Sequence, residues 1–324
     1  DGQLRIVSDL DLLVSTRPGT KIPRELATGL KNIEDQTGIL IAPRIRNNLE
    51  WRFSPRDTEL FDVQENAVAI YGRKEDISLP RVHGSQLGFK DIVYLFFNRV
   101  YLSLEECSPD DFASPAKASL ERLSYLASQT MFTCADFITL HSGNYLPSIF
   151  ARVSFVEERL GELACGIERE SFLADLRRAL DFKFNWLDRP YLDDAVDFWV
   201  RARGHLLGLF TSLFAEKYGT GDISRYAHLQ FRELSPAERL RTLLGRLRRA
   251  SRIIRMGRLP CLRNIPDPHY YSRLAGLMLY RALGRELEEE YVVRAGEYLS
   301  QVYRRQAREL GVSCLLYTSP SPRD

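Results

Sequence analysis

The chain predicts an α+β molecule, a small mixed-sheet unit followed by a mainly α-helical bundle, and three observations lead there. Residues 4–77 alternate strand-like apolar runs with one helical stretch. Beyond Pro80 the apolar residues recur at three-and-four spacing over long windows, the period of a buried helical face. With 324 residues, 44% of them hydrophobic, the chain can bury a core for two compact units.

The elements follow in order. A strand opens at Asp9 and gives way to the Pro18-Gly19 turn. Leu26, Leu30 and Ile33 then mark a helix over residues 22–35, residues 38–45 read as the next strand, residues 59–65 as a short helix, and residues 67–72 as a closing strand or turn against the sheet. Helices are expected over 89–104, 115–141, 146–165, 170–184, 193–218, 236–256, 270–283 and 287–310. In the second of these Leu120, Leu123, Ala127, Met131, Cys134, Phe137 and Ile138 form the apolar stripe. Ser235-Pro236-Ala237-Glu238 has a capping-box layout with Pro at the first helical position. These elements group as a first unit over 1–78, a helical domain over 79–220 and a further helical region over 221–313. Residues 314–324 resemble a translated sequencing adapter and are kept out of the fold; with Asp1 in place of a starting Met, the chain reads as a fragment cut at both ends.

Composition excludes several classes. No run approaches the roughly 20 apolar residues of a membrane span, so no membrane partner is expected. Cys107, Cys134, Cys165 and Cys261 are far apart and form neither a zinc pattern nor a disulfide framework, which fits a reducing cytoplasm. The net charge of +2 names no partner, although residues 235–260 carry eight Arg against Glu238 alone. That segment has an apolar stripe of Leu240, Leu243, Leu244, Leu247 and Ile254 and no interleaved aromatics, so a solvated basic face is preferred to a nucleic-acid surface. His83, His141, His205, His228 and His269 are scattered without ligand spacing and are read as structural.

The chemistry sits in Ser8-Asp9-Leu10-Asp11-Leu12-Leu13-Val14. On a strand, residues two apart lie on one face roughly 6.6 Å from each other, so Asp9 and Asp11 can converge on a shared divalent-metal site. Ionised carboxylates between apolar runs need a cation or donors to offset desolvation, though an Asp that merely caps an element gives the same pattern. Mg²⁺ favours carboxylates, water and phosphate oxygens, which points to handling of a nucleoside triphosphate, with a two-ion site among the arrangements allowed.

Three stretches together resemble the polymerase-β-like nucleotidyltransferase superfamily, especially its bacterial members with a small catalytic domain and a helical C-terminal one. They are the Ser8 to Val14 run, Phe61-Asp62-Val63-Gln64-Glu65-Asn66-Ala67-Val68-Ala69-Ile70-Tyr71-Gly72, and the region from Ala116-Lys117 to Ser142-Gly143-Asn144-Tyr145-Leu146-Pro147-Ser148. The resemblance implies transfer of a nucleoside monophosphate from a triphosphate to an acceptor, with Asp9 and Asp11 as catalytic metal ligands and Ser8 and Lys117 near the nucleotide. By residue type alone, Lys117 is a solvated first-turn lysine. The favoured acceptor is a small molecule or a protein, ahead of nucleic acid. Two departures matter. The family's Gly-Ser turn would fall upstream of Asp1, and the next strand, Gly38-Ile39-Leu40-Ile41-Ala42-Pro43, carries no third acid, with Asp35 and Glu50 only flanking it. The alternative is therefore a catalytically impaired relative that binds nucleotide or protein. A toxin–antitoxin component is the third reading, and Arg201-Ala202-Arg203-Gly204-His205 is similar to a ribonuclease-toxin helix but too short in spacing.

Overall fold

The computed structural model describes residues 10–16, 19–20, 24–37, 41–52, 54, 56–73, 77, 79–162, 167–186, 188–223, 268–284 and 289–297. Two compact units divide the chain: Asp1–Phe96 with Lys117–Phe210, and Phe97–Ala116 with Thr211–Asp324. The described residues are mostly helical with one small sheet, an α+β arrangement. None of the described helices is long and apolar enough to cross a membrane.

The first unit opens with β1 (Leu10–Thr16), α1 (Arg24–Thr37) and β2 (Ile41–Asn47). The strands pair in parallel, with Leu10 opposite Ile41 and Thr16 opposite Asn47, and α1 is the crossover that a parallel pair requires. A mixed sheet was the expectation; the described residues contain these two parallel strands alone. Chain entry into β2 is fixed by Glu34 of α1, whose carboxylate accepts the Ile41 N–H at 2.7 Å. Asn47 then caps α2 (Asn48–Arg52) reciprocally: its side chain accepts the Glu50 N–H at 3.0 Å while the Glu50 carboxylate accepts the Asn47 N–H at 2.9 Å.

Asp57 caps α3 (Thr58–Asn66), accepting the Leu60 N–H at 3.0 Å, and Leu60 and Phe61 turn inward. Of the closing strand or turn expected after it, no strand forms. Residues 67–72 run without regular structure and bend from Ile70 to Gly72. No third strand of the described sheet offers them a ladder.

Helices dominate the rest: α4 (Phe89–Glu106), α5 (Asp110–Ala113), α6 (Lys117–His141), α7 (Ile149–Arg159), α8 (Arg169–Asn185) and α9 (Ala195–Tyr218). The central one is α6, against which α7 and α8 pack. Its stripe of Leu123, Ala127, Met131, Cys134, Phe137 and Ile138 is buried, against Phe172, Leu176 and Ala179 of α8 and Val153 and Val156 of α7 in the same core. Each buried large side chain here contributes about 1.5–3 kcal/mol. Phe96 and Phe210 stack with ring centres 3.8 Å apart.

Ser and Thr are also buried in α6. Their hydroxyls donate to the carbonyl one turn back: Ser124 to Leu120 at 2.8 Å, Ser128 to Ser124 at 2.9 Å, Thr130 to Leu126 at 2.7 Å and Thr139 to Ala135 at 3.1 Å. The helix ends in a Schellman turn, Asn144 N–H to Thr139 C=O and Gly143 N–H to Leu140 C=O, with Gly143 at φ +69°.

In the second unit, α10 (Pro268–Ala282) buries Leu274, Ala275, Leu277, Met278 and Tyr280. Gly276 lets the ring of Tyr101 come close: a Cβ there would stand 3.2 Å from it. Residues 289–297 are helical. The basic segment at 236–256, Cys165, Cys261, His228 and residues 314–324 lie outside the described residues.

Candidate functional site

Asp11 occupies the second position of β1, opposite Ala42 of β2. Alternation along the strand puts Asp11, Leu13 and Ser15 on one face, and the parallel register places Ala42, Arg44 and Arg46 on that same face. An acid and two arginines thus share one side of a two-stranded sheet. Ser15 donates to the Asn48 side chain at the start of α2. Arg46 is anchored: it lies 4.8 Å over the Trp51 ring, donates to Ser54 Oγ at 3.3 Å and stands 3.8 Å from Glu59. Ser8 and Asp9 lie outside the described residues.

The two acids flanking β2 have structural roles. Asp35 pairs with Lys31 at 3.0 Å, and Glu50 completes the cap on Asn47. Among the described residues, no group of three His, Cys, Asp or Glu side chains could hold a metal ion. Lys117 sits exposed at the first position of α6, 3.9 Å from Glu121 and 5.7 Å from the Tyr191 ring centre. No recorded contact joins it to β1 among the described residues.

A second charged assembly escapes sequence reading. Arg152 of α7 forks between two carboxylates, Nη1 to Asp136 of α6 at 2.7 Å and Nη2 to Asp62 of α3 at 2.8 Å, while its Nε donates to the Leu146 carbonyl at 2.6 Å. Tyr145 donates to Asp62 at 3.3 Å, and its ring lies 4.3 Å beneath the guanidinium. Asn66 adds a bond to the Pro147 carbonyl at 2.8 Å. One guanidinium serves two acids, Asp136 well inside the joint and Asp62 at its rim. Burial pushes the Asp62 carboxyl up to about 7, against the lowering pull of Arg152 and with help from Asp136. Burial and Asp136 likewise raise the Tyr145 hydroxyl. Every nitrogen of Arg152 is engaged, so this assembly is a joint binding α3, α6 and α7 together. Its one sequence signal is Asp136, an acid between Ala135 and Phe137 on the buried helix.

A third assembly accounts for Arg201 and His205. Four residues apart on α9, both reach the buried Asp175 of α8: Arg201 through Nε and Nη2 at 3.0 Å each, His205 through Nε2 at 3.2 Å. A carboxylate only accepts, so Nε2 carries the proton. Against the upward push of burial, the hydrogen bonds from His205 and Arg201 hold Asp175 below its usual range. Phe172 meets the His205 ring edge-on at 5.3 Å.

No family model, curated protein or solved structure matches the chain.

Proposed function

We propose that the chain is a metal-dependent nucleotidyltransferase that moves a nucleoside monophosphate from a triphosphate to an acceptor hydroxyl or amine. The observation that carries the reading is the position of Asp11 on β1 of a parallel β–α–β unit, two residues after Asp9 and on the face that Arg44 and Arg46 share. The donor set suits Mg²⁺: two carboxylates of hard oxygen character, with the remaining positions left to phosphate oxygens and water. The ion supplies charge neutralisation of the triphosphate when bound. Asp9 and Asp11 would hold the ion, and Arg44 and Arg46 would offset remaining phosphate charge. Positioning an acceptor in line with the α-phosphorus then accounts for most of the rate, and pyrophosphate leaves. Ser8 and Lys117 remain the nucleotide-contact candidates of the family resemblance.

Incubating the full chain with Mg²⁺ and α-labelled nucleoside triphosphates tests this: labelled acceptor or self-labelled chain, together with pyrophosphate, is the expected product. Asp11→Asn or Asp9→Asn should lower that labelling by about 10²-fold or more. Unchanged labelling in both variants would remove the pair from the site. Lys117→Ala should raise the Michaelis constant for nucleotide, and an unchanged constant removes Lys117.

One observation favours the second reading, a nucleotide-binding or protein-binding module without turnover. β2 carries no acid, and Asp35 and Glu50 are committed to Lys31 and Asn47. Saturable binding of Mg²⁺-nucleotide with no pyrophosphate released would decide for it.

A further inference from the structure

A cavity of about 210 Å³ opens in the second unit. Local sequence builds one wall of it. Helix α9 stops where Gly219 turns to φ +68° and returns its N–H to the Ala215 carbonyl at 2.7 Å, and the Thr220 hydroxyl then accepts the Asp222 N–H at 3.2 Å. That turn sets Asp222 and Ile223 at the cavity. A second wall is α10, which contributes Leu274, Leu277, Met278 and Arg281, the i, i+3, i+4, i+7 set of a single helical face. Arg294 of the 289–297 helix joins them, and Arg281 lies 5.9 Å over Tyr291 of that same helix.

The lining carries charge of both signs. Ile223, Leu274, Leu277 and Met278 are buried, and two arginines and one aspartate border the same space. A plain anion would meet Asp222 and a plain cation would meet two arginines, whereas a molecule bearing both charges suits all three. A cavity of about 150 Å³ is enough for benzene, so the occupant is a small organic molecule with a short apolar part. We propose that the cavity binds a free α-amino acid with an aliphatic side chain, its carboxylate on Arg281 and Arg294, its ammonium on Asp222 and its side chain against Leu274, Leu277 and Met278. Arg294 is 55% exposed and holds Glu290, itself 70% exposed, at 2.6 Å, a surface pair of small worth that a ligand carboxylate can share. Guanidinium and carboxylate groups each offer several hydrogen-bond positions, so Arg281 and Asp222 take the ligand beside the partners they already have. The site shares no residue with the β1 face and stands or falls apart from the transfer reading.

Calorimetric titration of the full chain with L-leucine tests this: one saturable site with a dissociation constant of about 10 μM to 1 mM is expected. Isocaproate, which lacks the ammonium, and isoamylamine, which lacks the carboxylate, should each bind at least about tenfold more weakly. Arg294→Ala should weaken leucine binding by about tenfold. Asp222→Asn should weaken leucine by a similar factor while leaving isocaproate as it was or tighter, a split that a merely structural Asp222 would not produce. Both residues are exposed, so thermal melts of the two variants should match that of the parent chain. No saturable heat with L-leucine, L-valine or L-methionine up to about 10 mM, isocaproate binding as tightly as leucine, or leucine binding unchanged in both variants would overturn the proposal.

Discussion

The β1–α1–β2 unit and the joint of α3, α6 and α7 treat charge in opposite ways. On the sheet, Asp11, Arg44 and Arg46 are gathered on one face by main-chain register, and the side chains of β1 from Leu12 to Thr16 are half-buried. In the joint, Arg152 is 10% exposed and engages two acids and two carbonyls. The first arrangement is set by strand register; the second spends its charge in holding helices together. Hydrogen-bond saturation, more than charge itself, marks the joint as architecture.

The sharpest way to break this contrast is to remove one charge from each side. Arg152→Met strands Asp62 and Asp136 without their cation and should cost about 3–5 kcal/mol in urea unfolding, whereas Asp11→Asn should leave the midpoint unchanged while abolishing nucleotide labelling. Equal losses in the two variants would erase the distinction. Next in size is Gly84→Ala. A Cβ at Gly84 would lie 2.4 Å from the main-chain oxygen of Tyr145, so the loop that presents Tyr145 to Asp62 must shift; a loss of about 1–3 kcal/mol is expected. Ser124→Ala is smaller. The Ser124 hydroxyl accepts the buried Leu192 N–H at 2.9 Å, and orphaning that donor should cost about 1–2 kcal/mol, with Ser124→Thr recovering part of it.

The subtlest probe is pH. Asp62 keeps 39% of its side chain exposed, so protons reach it in the folded state. Its carboxyl is raised from the ordinary 3.8 to about 7 on folding, so between those values the folded chain binds more protons than the unfolded one. Stability contributed by this group is therefore full below pH 4 and falls as pH rises toward 7. Asp62→Asn should flatten that decline in unfolding measurements between pH 4 and pH 7, and an unaltered slope would assign the dependence elsewhere. The lowered Asp175 works in the opposite direction, losing its contribution as pH falls through its folded value.

Periodicity made the long helices legible. The spacing of Leu123, Ala127, Met131 and Phe137 located α6 within two residues at its start, and the Pro18-Gly19 turn separated β1 from α1. The short helices Asn48–Arg52 and Asp110–Ala113 were missed because one turn carries no period. The stretch after Asn66 reads as a strand by composition, but a strand needs a ladder, which local sequence cannot supply. Of the candidate site, the strand that carries Asp11 was legible in its apolar run. The company of Arg44 and Arg46 was not, because it depends on the register with β2. The Asp62–Arg152 pair spans 90 positions and the Asp175–Arg201 pair 26, separations over which no window of sequence conveys adjacency.

The burial of α6 has a consequence for motion. Because α6 is buried along most of its length, its amides should be among the slowest of the described residues to trade protium for deuterium, surrendering them only when the unit opens. At the other extreme, Val68 to Tyr71 should exchange nearly as fast as a free peptide, so a single labelling series would separate the two ends of the described residues' range.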